Sequence, residues 1–280
     1  MAATDYKGLM LAEDNFYGHG KNSNERARNL FKGMIDRGIH KDWLGFTALN
    51  ISQDAETLGY MAKSGCFGML IGIESTNEAV LEKMNKRVNL KLGTDSYFDC
   101  IQKIHDAGLV VWGSVVFGAD GDGKDSFKRM TEFILQNNID ILTFGINCPF
   151  PKTQLYARLD SEKRIFRKNY PDDWQYYDTA HVVHRFVDMK LEDFIEGMQY
   201  VYDNIYANNN LRTRFRNSIN TTKNPRNSMF AFRVGSDWKQ VFEQVLLNLK
   251  ELYDSGDYYK DCYKSSTVTV AKPAMVVASA

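Results

Sequence analysis

The sequence predicts an α/β fold in which a partial, open, TIM-like barrel of parallel strands is followed by a helical C-terminal region. Short apolar segments alternate with segments of helical periodicity, so that every crossover between successive strands contains a helix, as parallel pairing requires. Five such units are too few to close an eight-stranded barrel, and an open barrel is therefore expected. The predicted strands are residues 9–16, 43–51, 67–75, 109–118 and 139–148.

Start and stop signals support the helices between these strands. Capping residues precede apolar residues at one-face spacing, and glycines follow at Gly65 and Gly108. The predicted helix starts are Asn22, Ser52, Asn77, Asp95 and the pair Asp122 and Gly123.

The alternation of strands and helices ends after the fifth predicted strand. We assign residues 1–156 to the partial barrel, residues 157–263 to a helical region, and residues 264–280 to a flexible tail without amphipathic period. Within the helical region, helices are predicted from Leu191 and from near Asp237. The segment 208–227 between them is rich in Asn, Arg and Thr and is predicted to be an exposed connector.

Composition excludes several classes of protein. Lys and Arg together number 35, as do Asp and Glu, so the chain lacks the basic excess typical of nucleic-acid and membrane-surface proteins. No apolar run approaches the roughly 18 residues of a membrane span, and the start does not resemble a signal peptide. A cytoplasmic location is expected. The cysteines lack metal-binding spacing and are expected to be reduced and buried: Cys66, Cys100, Cys148 and Cys262.

Polar residues end several predicted strands, where chemistry sits in a parallel barrel. Asp14, Asn15 and Asn50 are candidate cofactor ligands, although residues of this type also end strands as ordinary turn residues. Glu74 and Ser75 follow an apolar strand, and a carboxylate there is costly to bury unless it is hydrogen-bonded. The alternative for Glu74 is an N-cap of the next helix.

Two glycines on the fourth strand are further candidates. Gly113 and Gly118 have no Cβ, so a flat ring could approach the backbone closely at these positions. A bulge or a strand-to-loop turn explains them equally well.

The region after the strands contains two histidines and an aromatic run. His181 and His184 have i,i+3 spacing, but no third ligand lies nearby in sequence, so no metal site is predicted. We expect structural or substrate-contact roles for them. Trp174, Tyr176 and Tyr177 form either a wall of a substrate pocket or part of the core.

Several motifs in order carry a resemblance to a known family. They are AEDNFYGHG, SGCFGMLIGIES followed by NEAVLEKMNK, KIHDAGLVVWGSVVFGADGD, PFPKTQLYARL and DWQYYDTAHVV, within residues 9–197. Together they resemble the radical SAM superfamily and, more narrowly, its cobalamin-binding branch. The resemblance implies S-adenosylmethionine bound across the strand tops, a small-molecule substrate, and radical activation of a C–H bond with possible methyl transfer. It also implies that Asp14 and Asn15 lie near the methionine amino group, that Glu74 contacts ribose or an ammonium group, and that Gly113 and Gly118 lie against adenine.

One departure from the family pattern limits these expectations. The resemblance implies a 4Fe-4S cluster held by a CxxxCxxC loop after the first strand and an earlier cobalamin-binding domain, and ligands for both are absent from this sequence. We consider a truncated or split gene product, a degenerate paralogue, and a chain completed by an upstream domain or a separate polypeptide, and we favour truncation.

The expected function is that of the C-terminal portion of a cobalamin-type radical SAM enzyme, inactive by itself without the cluster loop. The alternative is a non-catalytic α/β scaffold or binding protein. Neither the catalytic residues nor the substrate can be assigned from the sequence.

Overall fold

The computed structural model describes residues 8–18 and 20–260. A single sheet of five parallel strands, in the order β1-β2-β3-β4-β5, curls into a half-barrel. The predicted fold class is therefore confirmed. The strands are β1 (Gly8–Leu11), β2 (Asp42–Thr47), β3 (Cys66–Glu74), β4 (Val110–Phe117) and β5 (Ile141–Ile146). The helices are α1 (Lys21–Asp36), α2 (Ala55–Lys63), α3 (Glu78–Lys83), α4 (Arg87–Leu92), α5 (Tyr97–Asp106), α6 (Lys124–Gln136), α7 (Gln154–Ser161), α8 (Leu191–Ile205), α9 (Asn208–Thr222) and α10 (Pro225–Ser255).

Most strands end earlier than predicted, because polar residues beyond them turn the chain. After β1, the Asn15 side chain accepts a hydrogen bond from the Gly18 amide at 3.0 Å, which closes a turn. After β2, Asn50 lies in a short 3-10 helix, Leu49–Gln53.

Two predicted helix starts are corrected in the same region. Asp54, and not Ser52, caps α2 by accepting from the Thr57 amide at 2.9 Å. Helix α1 begins at Lys21 with Gly20 at its N-cap, so Asn22 lies inside the first turn.

Alternate residues of the central strands face opposite sides. On β4, Gly113, Val115 and Phe117 are buried on the face covered by helices, whereas Trp112 and Ser114 are partly exposed on the other, concave face. Side chains on the concave face at the strand ends are therefore available to a ligand.

The segment predicted to be an exposed connector is instead helical, and this prediction is wrong. Residues 208–222 form α9, and α10 begins at Pro225, far before the expected start near Asp237. The polar sequence of α9 is explained by Arg214, a buried residue that donates to the Ile139 carbonyl at 2.6 Å and to the Asp140 carbonyl at 3.2 Å. Because Arg214 is buried through polar hydrogen bonds, α9 can pack against the sheet without the apolar stripe that usually marks a buried helix.

The two edges of the sheet differ. At the β5 edge, Tyr206 donates to the Leu142 carbonyl at 2.8 Å, Arg214 donates just before the strand, and the Ile146 amide donates to the Thr179 carbonyl at 2.7 Å. At the other edge, β1 has four residues, and Met10 is 55% exposed. One edge is thus covered by other parts of the chain, whereas no described residue bonds along the outer side of β1.

One apolar core joins the sheet to the C-terminal helices. It extends from Phe31 and Trp43, stacked at 4.6 Å, to Phe242 and Leu249 of α10. No helix within residues 8–18 and 20–260 combines the length and the apolar character that crossing a bilayer requires. The predicted tail, 264–280, and Cys262 lie outside the described residues, and the domain boundaries proposed from the sequence stay a prediction.

Candidate active site

A cleft of about 270 Å³ opens where the first strands end. Its walls come from the turn after β1 and from the concave ends of β2, β3 and β4, and one side is closed by α4 and the residues before it. The lining residues are Asp14, Asn15, Phe46, Thr47, Ala48, Leu70, Gly72, Glu74, Lys86, Val88, Asn89 and Ser114.

Glu74 is the best-positioned carboxylate of the cleft. The register of β3 with β4 shifts between Gly72 and Glu74, and Glu74 adopts φ of +64°, a conformation that is rare for residues other than glycine. The Glu74 side chain is 12% exposed, and its Oε1 accepts from Lys86 Nζ at 2.6 Å. The buried carboxylate therefore has the hydrogen-bonding partner that its burial requires.

Gly72 is the residue that makes room for this carboxylate. A Cβ on Gly72 would lie 2.6 Å from Glu74 Oε1. The carboxylate folds back into the space that a side chain at residue 72 would fill, so a Cβ there would displace it.

Lys86 and Asn89 are site residues that the sequence reasoning missed. The buried Asn89 Nδ2 donates to the carbonyls of Gly72 and Ile73, at 3.0 and 3.2 Å, where the bulge leaves them available. The only signal for either residue was the run NEAVLEKMNK directly after the third strand, which contains Lys86.

The structure brings two of the predicted carboxylates to one cleft. Asp14 is exposed and lines the cleft that Glu74 also lines. Asn15 lines it too, but its Oδ1 accepts from the Gly18 amide and from Thr47 Oγ1, so it also maintains the turn.

Two other predicted residues bond to the backbone and do not line this cleft. The Asn50 side chain donates to the Gly18 carbonyl at 3.1 Å and so joins the loop after β2 to the turn after β1. Ser75 Oγ accepts from the Asn77 amide at 3.1 Å. Asn77, rather than Glu74, caps α3, so the N-cap alternative for Glu74 is wrong.

The predicted glycines also lie away from the cleft. A Cβ on Gly113 would lie 2.9 Å from Ile139 Cγ2, on the helix-covered face of the sheet. Gly118 has φ of +84°, and a Cβ there would lie 2.6 Å from Phe186 Cε1. Packing against neighbouring side chains accounts for the absence of a Cβ at Gly113 and Gly118. That either glycine contacts adenine stays a prediction.

The two histidines lie in irregular structure and not on a helix. His184 is fully buried, whereas His181 lines a second cavity together with Tyr176. Tyr177 is buried and Trp174 is half exposed.

The cysteines within the described part of the chain do not fit an iron–sulfur cluster. Cys66 and Cys100 are buried on separate elements, and burial raises the pKa of the Cys66 thiol. Burial also raises the pKa of the Cys148 thiol, to about 11. Across residues 8–18 and 20–260, no three His, Cys, Asp or Glu side chains group in a way that could hold a metal ion.

The cleft, in contrast, fits the methionine or ribose part of S-adenosylmethionine. Glu74 Oε2 has no hydrogen-bond partner among the described residues, and a carboxylate oxygen accepts from ammonium and hydroxyl groups. Asp14 supplies a second carboxylate at the rim, and Leu70 and Phe46 supply apolar surface.

Parts of this chain are similar in sequence to known proteins. Residues 153–247 match a family described as a domain of unknown function, DUF4070. The chain is 32% identical over 179 residues to a bacteriochlorophyllide d C-12(1)-methyltransferase of Chlorobaculum tepidum, covering 62% of this chain and 36% of that protein. It is 26% identical over 157 residues to a hopanoid C-2 methylase of Rhodopseudomonas palustris, covering 56% of this chain and 29% of that protein. The chain thus spans about a third of the length of these curated relatives.

Solved structures share the fold. The radical S-adenosylmethionine methyltransferase TsrM from Kitasatospora setae, with cobalamin and a [4Fe-4S] cluster bound, aligns with a TM-score of 0.55 at 12% identity, over 88% of this chain and 52% of that one. The cobalamin-dependent S-adenosylmethionine radical enzyme OxsB aligns with a TM-score of 0.55 at 15% identity, over 91% of this chain and 43% of that one.

The half-barrel is the fold that this chain shares with these two S-adenosylmethionine radical enzymes. The chain is similar in sequence to methyltransferases, and its motifs together with its fold resemble the cobalamin-binding branch of the radical SAM superfamily. The resemblance that the motifs indicated is confirmed.

Proposed function

We propose that this chain supplies the barrel wall and part of the S-adenosylmethionine cleft of a cobalamin-type radical SAM enzyme that activates a C–H bond and transfers a methyl group. The observation that carries the proposal is the Glu74 carboxylate, held by Lys86 at 2.6 Å in a cleft at the strand ends. The positive φ of Glu74 in the bulge is a strained backbone conformation for a residue other than glycine. Such strain is typical of a ligand site.

The side chains that line the cleft would bind different parts of S-adenosylmethionine. Glu74 accepts from ribose hydroxyls or the ammonium group, Asp14 adds negative charge at the rim, and the apolar Leu70 and Phe46 exclude water. S-adenosylmethionine supplies the radical and methyl chemistry when it is bound, while the protein positions it.

The cluster and cobalamin are assigned to another part of the enzyme. The described residues provide no ligand set for the cluster, so we place both groups on an upstream domain or on a separate polypeptide. The chain itself is then inactive alone. We further propose a small-molecule substrate and a cytoplasmic location.

Titration calorimetry with S-adenosylmethionine tests the proposal. Wild-type chain should bind weakly, and Glu74→Ala should weaken binding by about 1–3 kcal/mol, the usual cost of leaving a buried polar group unpaired. The matched control is Glu78→Ala, which removes an exposed carboxylate four residues away that does not line the cleft.

Two outcomes contradict the proposal. Equal affinities of wild type and Glu74→Ala would reduce Glu74 to a structural partner of Lys86. No binding by the wild type at millimolar ligand would favour the non-catalytic scaffold.

A further inference from the structure

A second cavity, of about 250 Å³, lies between the C-terminal part of α10 and the segment before α8. Tyr176, His181 and Val182 line it from that segment, and Leu249 and Leu252 line it from α10. None of its lining residues lines the Glu74 cleft. The cavity is therefore a separate site, with an apolar part formed by Val182, Leu249 and Leu252 and with polar side chains around it.

His181 is held in one tautomer at this cavity. Asp178 Oδ1 accepts from the backbone amides of Ala180 and His181 at 2.8 and 3.1 Å, which fixes the carboxylate. Its Oδ2 lies 2.9 Å from His181 Nδ1. Because a carboxylate only accepts, Nδ1 carries a proton in this contact, and Nε2 is a hydrogen-bond acceptor whenever the ring is neutral. Nε2 has no partner among residues 8–18 and 20–260.

Arg167 supplies donors to the same cavity. Its guanidinium lies 4.4 Å from the centroid of the Tyr176 ring, and its Nη2 donates to Asp257 Oδ2 at 2.8 Å. The group is thus fixed in place, with further N–H groups remaining. Asp257 balances its charge, and Glu251 lines the cavity as an additional, exposed carboxylate. The balance of charge favours a neutral ligand over an anion.

We propose that this cavity binds a small neutral ligand whose apolar body carries an N–H or O–H donor beside a carbonyl oxygen. The donor meets His181 Nε2, and the carbonyl accepts from Arg167. The site stands independently of S-adenosylmethionine binding, since the two clefts have different walls.

A pair of matched probes tests the proposal on the full chain. Methyl pyrrole-2-carboxylate carries a ring N–H beside its ester carbonyl, and methyl furan-2-carboxylate replaces that N–H by an oxygen acceptor. We expect amide chemical-shift perturbation around the cavity, with the pyrrole binding about tenfold more tightly, because the furan oxygen faces the Nε2 lone pair. Equal affinities, a preference for the furan, or no binding of either probe would overturn the proposal.

The variant Asp178→Asn tests the role of the tautomer. The Asn Oδ1 can keep the two backbone bonds, which places its NH₂ group against His181 Nδ1, so the ring proton moves to Nε2. The preference for the pyrrole should then be lost or reversed. Asp172→Asn, an exposed carboxylate outside the cavity, is the control and should keep the preference. An unchanged preference in Asp178→Asn would contradict the proposal.

The tautomer of His181 can also be measured directly on the wild-type chain. Two-bond nitrogen–proton correlation of the His181 ring reports which nitrogen is protonated. The Nδ1–H tautomer is expected, and the Nε2–H tautomer would overturn the proposal.

Discussion

His184 is a histidine that folding places in the core with neither ring nitrogen bonded to any described residue. Burial, with a contribution from the Arg164 guanidinium, lowers the pKa of His184 to about 4 from its ordinary value of 6.5. Between these pH values the unfolded chain binds a proton that the folded chain does not. The free energy of unfolding therefore falls as the pH falls from 6.5 through 4, and the contribution is constant below that.

The variant His184→Phe should remove this pH dependence. Relative to the variant, the wild type should lose about 3 kcal/mol of unfolding free energy between pH 7 and pH 4. Urea unfolding across this range measures the difference. The exposed His40 offers the control His40→Phe, which should keep the wild-type slope. Parallel curves for wild type and His184→Phe would contradict the prediction.

Gly72 is expected to be as important to the cleft as the carboxylate above it. In Gly72→Ala, the added methyl group would meet Glu74 Oε1 at 2.6 Å and displace the carboxylate. S-adenosylmethionine binding should weaken by about 1–3 kcal/mol, as in Glu74→Ala. Calorimetry measures this change, and Gly59→Ala, which meets no neighbouring atom, is the control. Wild-type affinity in Gly72→Ala would show that the carboxylate is not the ligand group.

At the scale of elements, the helices and strands that show a regular apolar spacing could be predicted from the sequence. All five strands and the helix capped by Asn77 follow from apolar spacing and caps. Helix α9 could not be predicted this way, because Arg214 is buried through hydrogen bonds to carbonyls that only the folded sheet brings near.

The candidate site also contains residues that could be predicted from the sequence and residues that could not. Asp14 and Glu74 were predictable because parallel strand ends converge. Lys86 and Asn89 were not, because their partners depend on a bulge in β3 that has no sequence signal. Gly113 and Gly118 were ambiguous for a related reason, since packing and ligand binding both exclude a Cβ.

The attachment of α9 to the sheet depends on Arg214. Burial lowers the pKa of its guanidinium, and the group is held by carbonyl oxygens. In Arg214→Ala those carbonyls lose a charged donor, and we expect a loss of about 3 kcal/mol in unfolding free energy. Denaturant midpoints measure the loss, and the exposed Arg216→Ala should change stability by less than about 0.5 kcal/mol. Similar midpoints for the two variants would contradict this assignment.

At the scale of the whole molecule, the open β1 edge is expected to govern solution behaviour. The isolated chain should self-associate or be only marginally folded, because the outer backbone groups of β1 have no partner within residues 8–18 and 20–260, and Met10 beside them is exposed. Met10→Lys should reduce self-association in sedimentation velocity. Met229→Lys, at an exposed methionine of α10, is the control and should leave it unchanged. A wild-type chain that stays monomeric at all concentrations would contradict the prediction.

The coverage of the β5 edge determines how far such association can proceed. Tyr206, Arg214 and Thr179 bond to the backbone of β5 and of the residues before it. Among residues 8–18 and 20–260, β1 is therefore the edge that remains for a second sheet. Two copies joined through β1 would form a two-fold pair in which the described part of each chain has no further edge to offer, so growth by strand pairing is expected to stop at the dimer and not to continue into a filament.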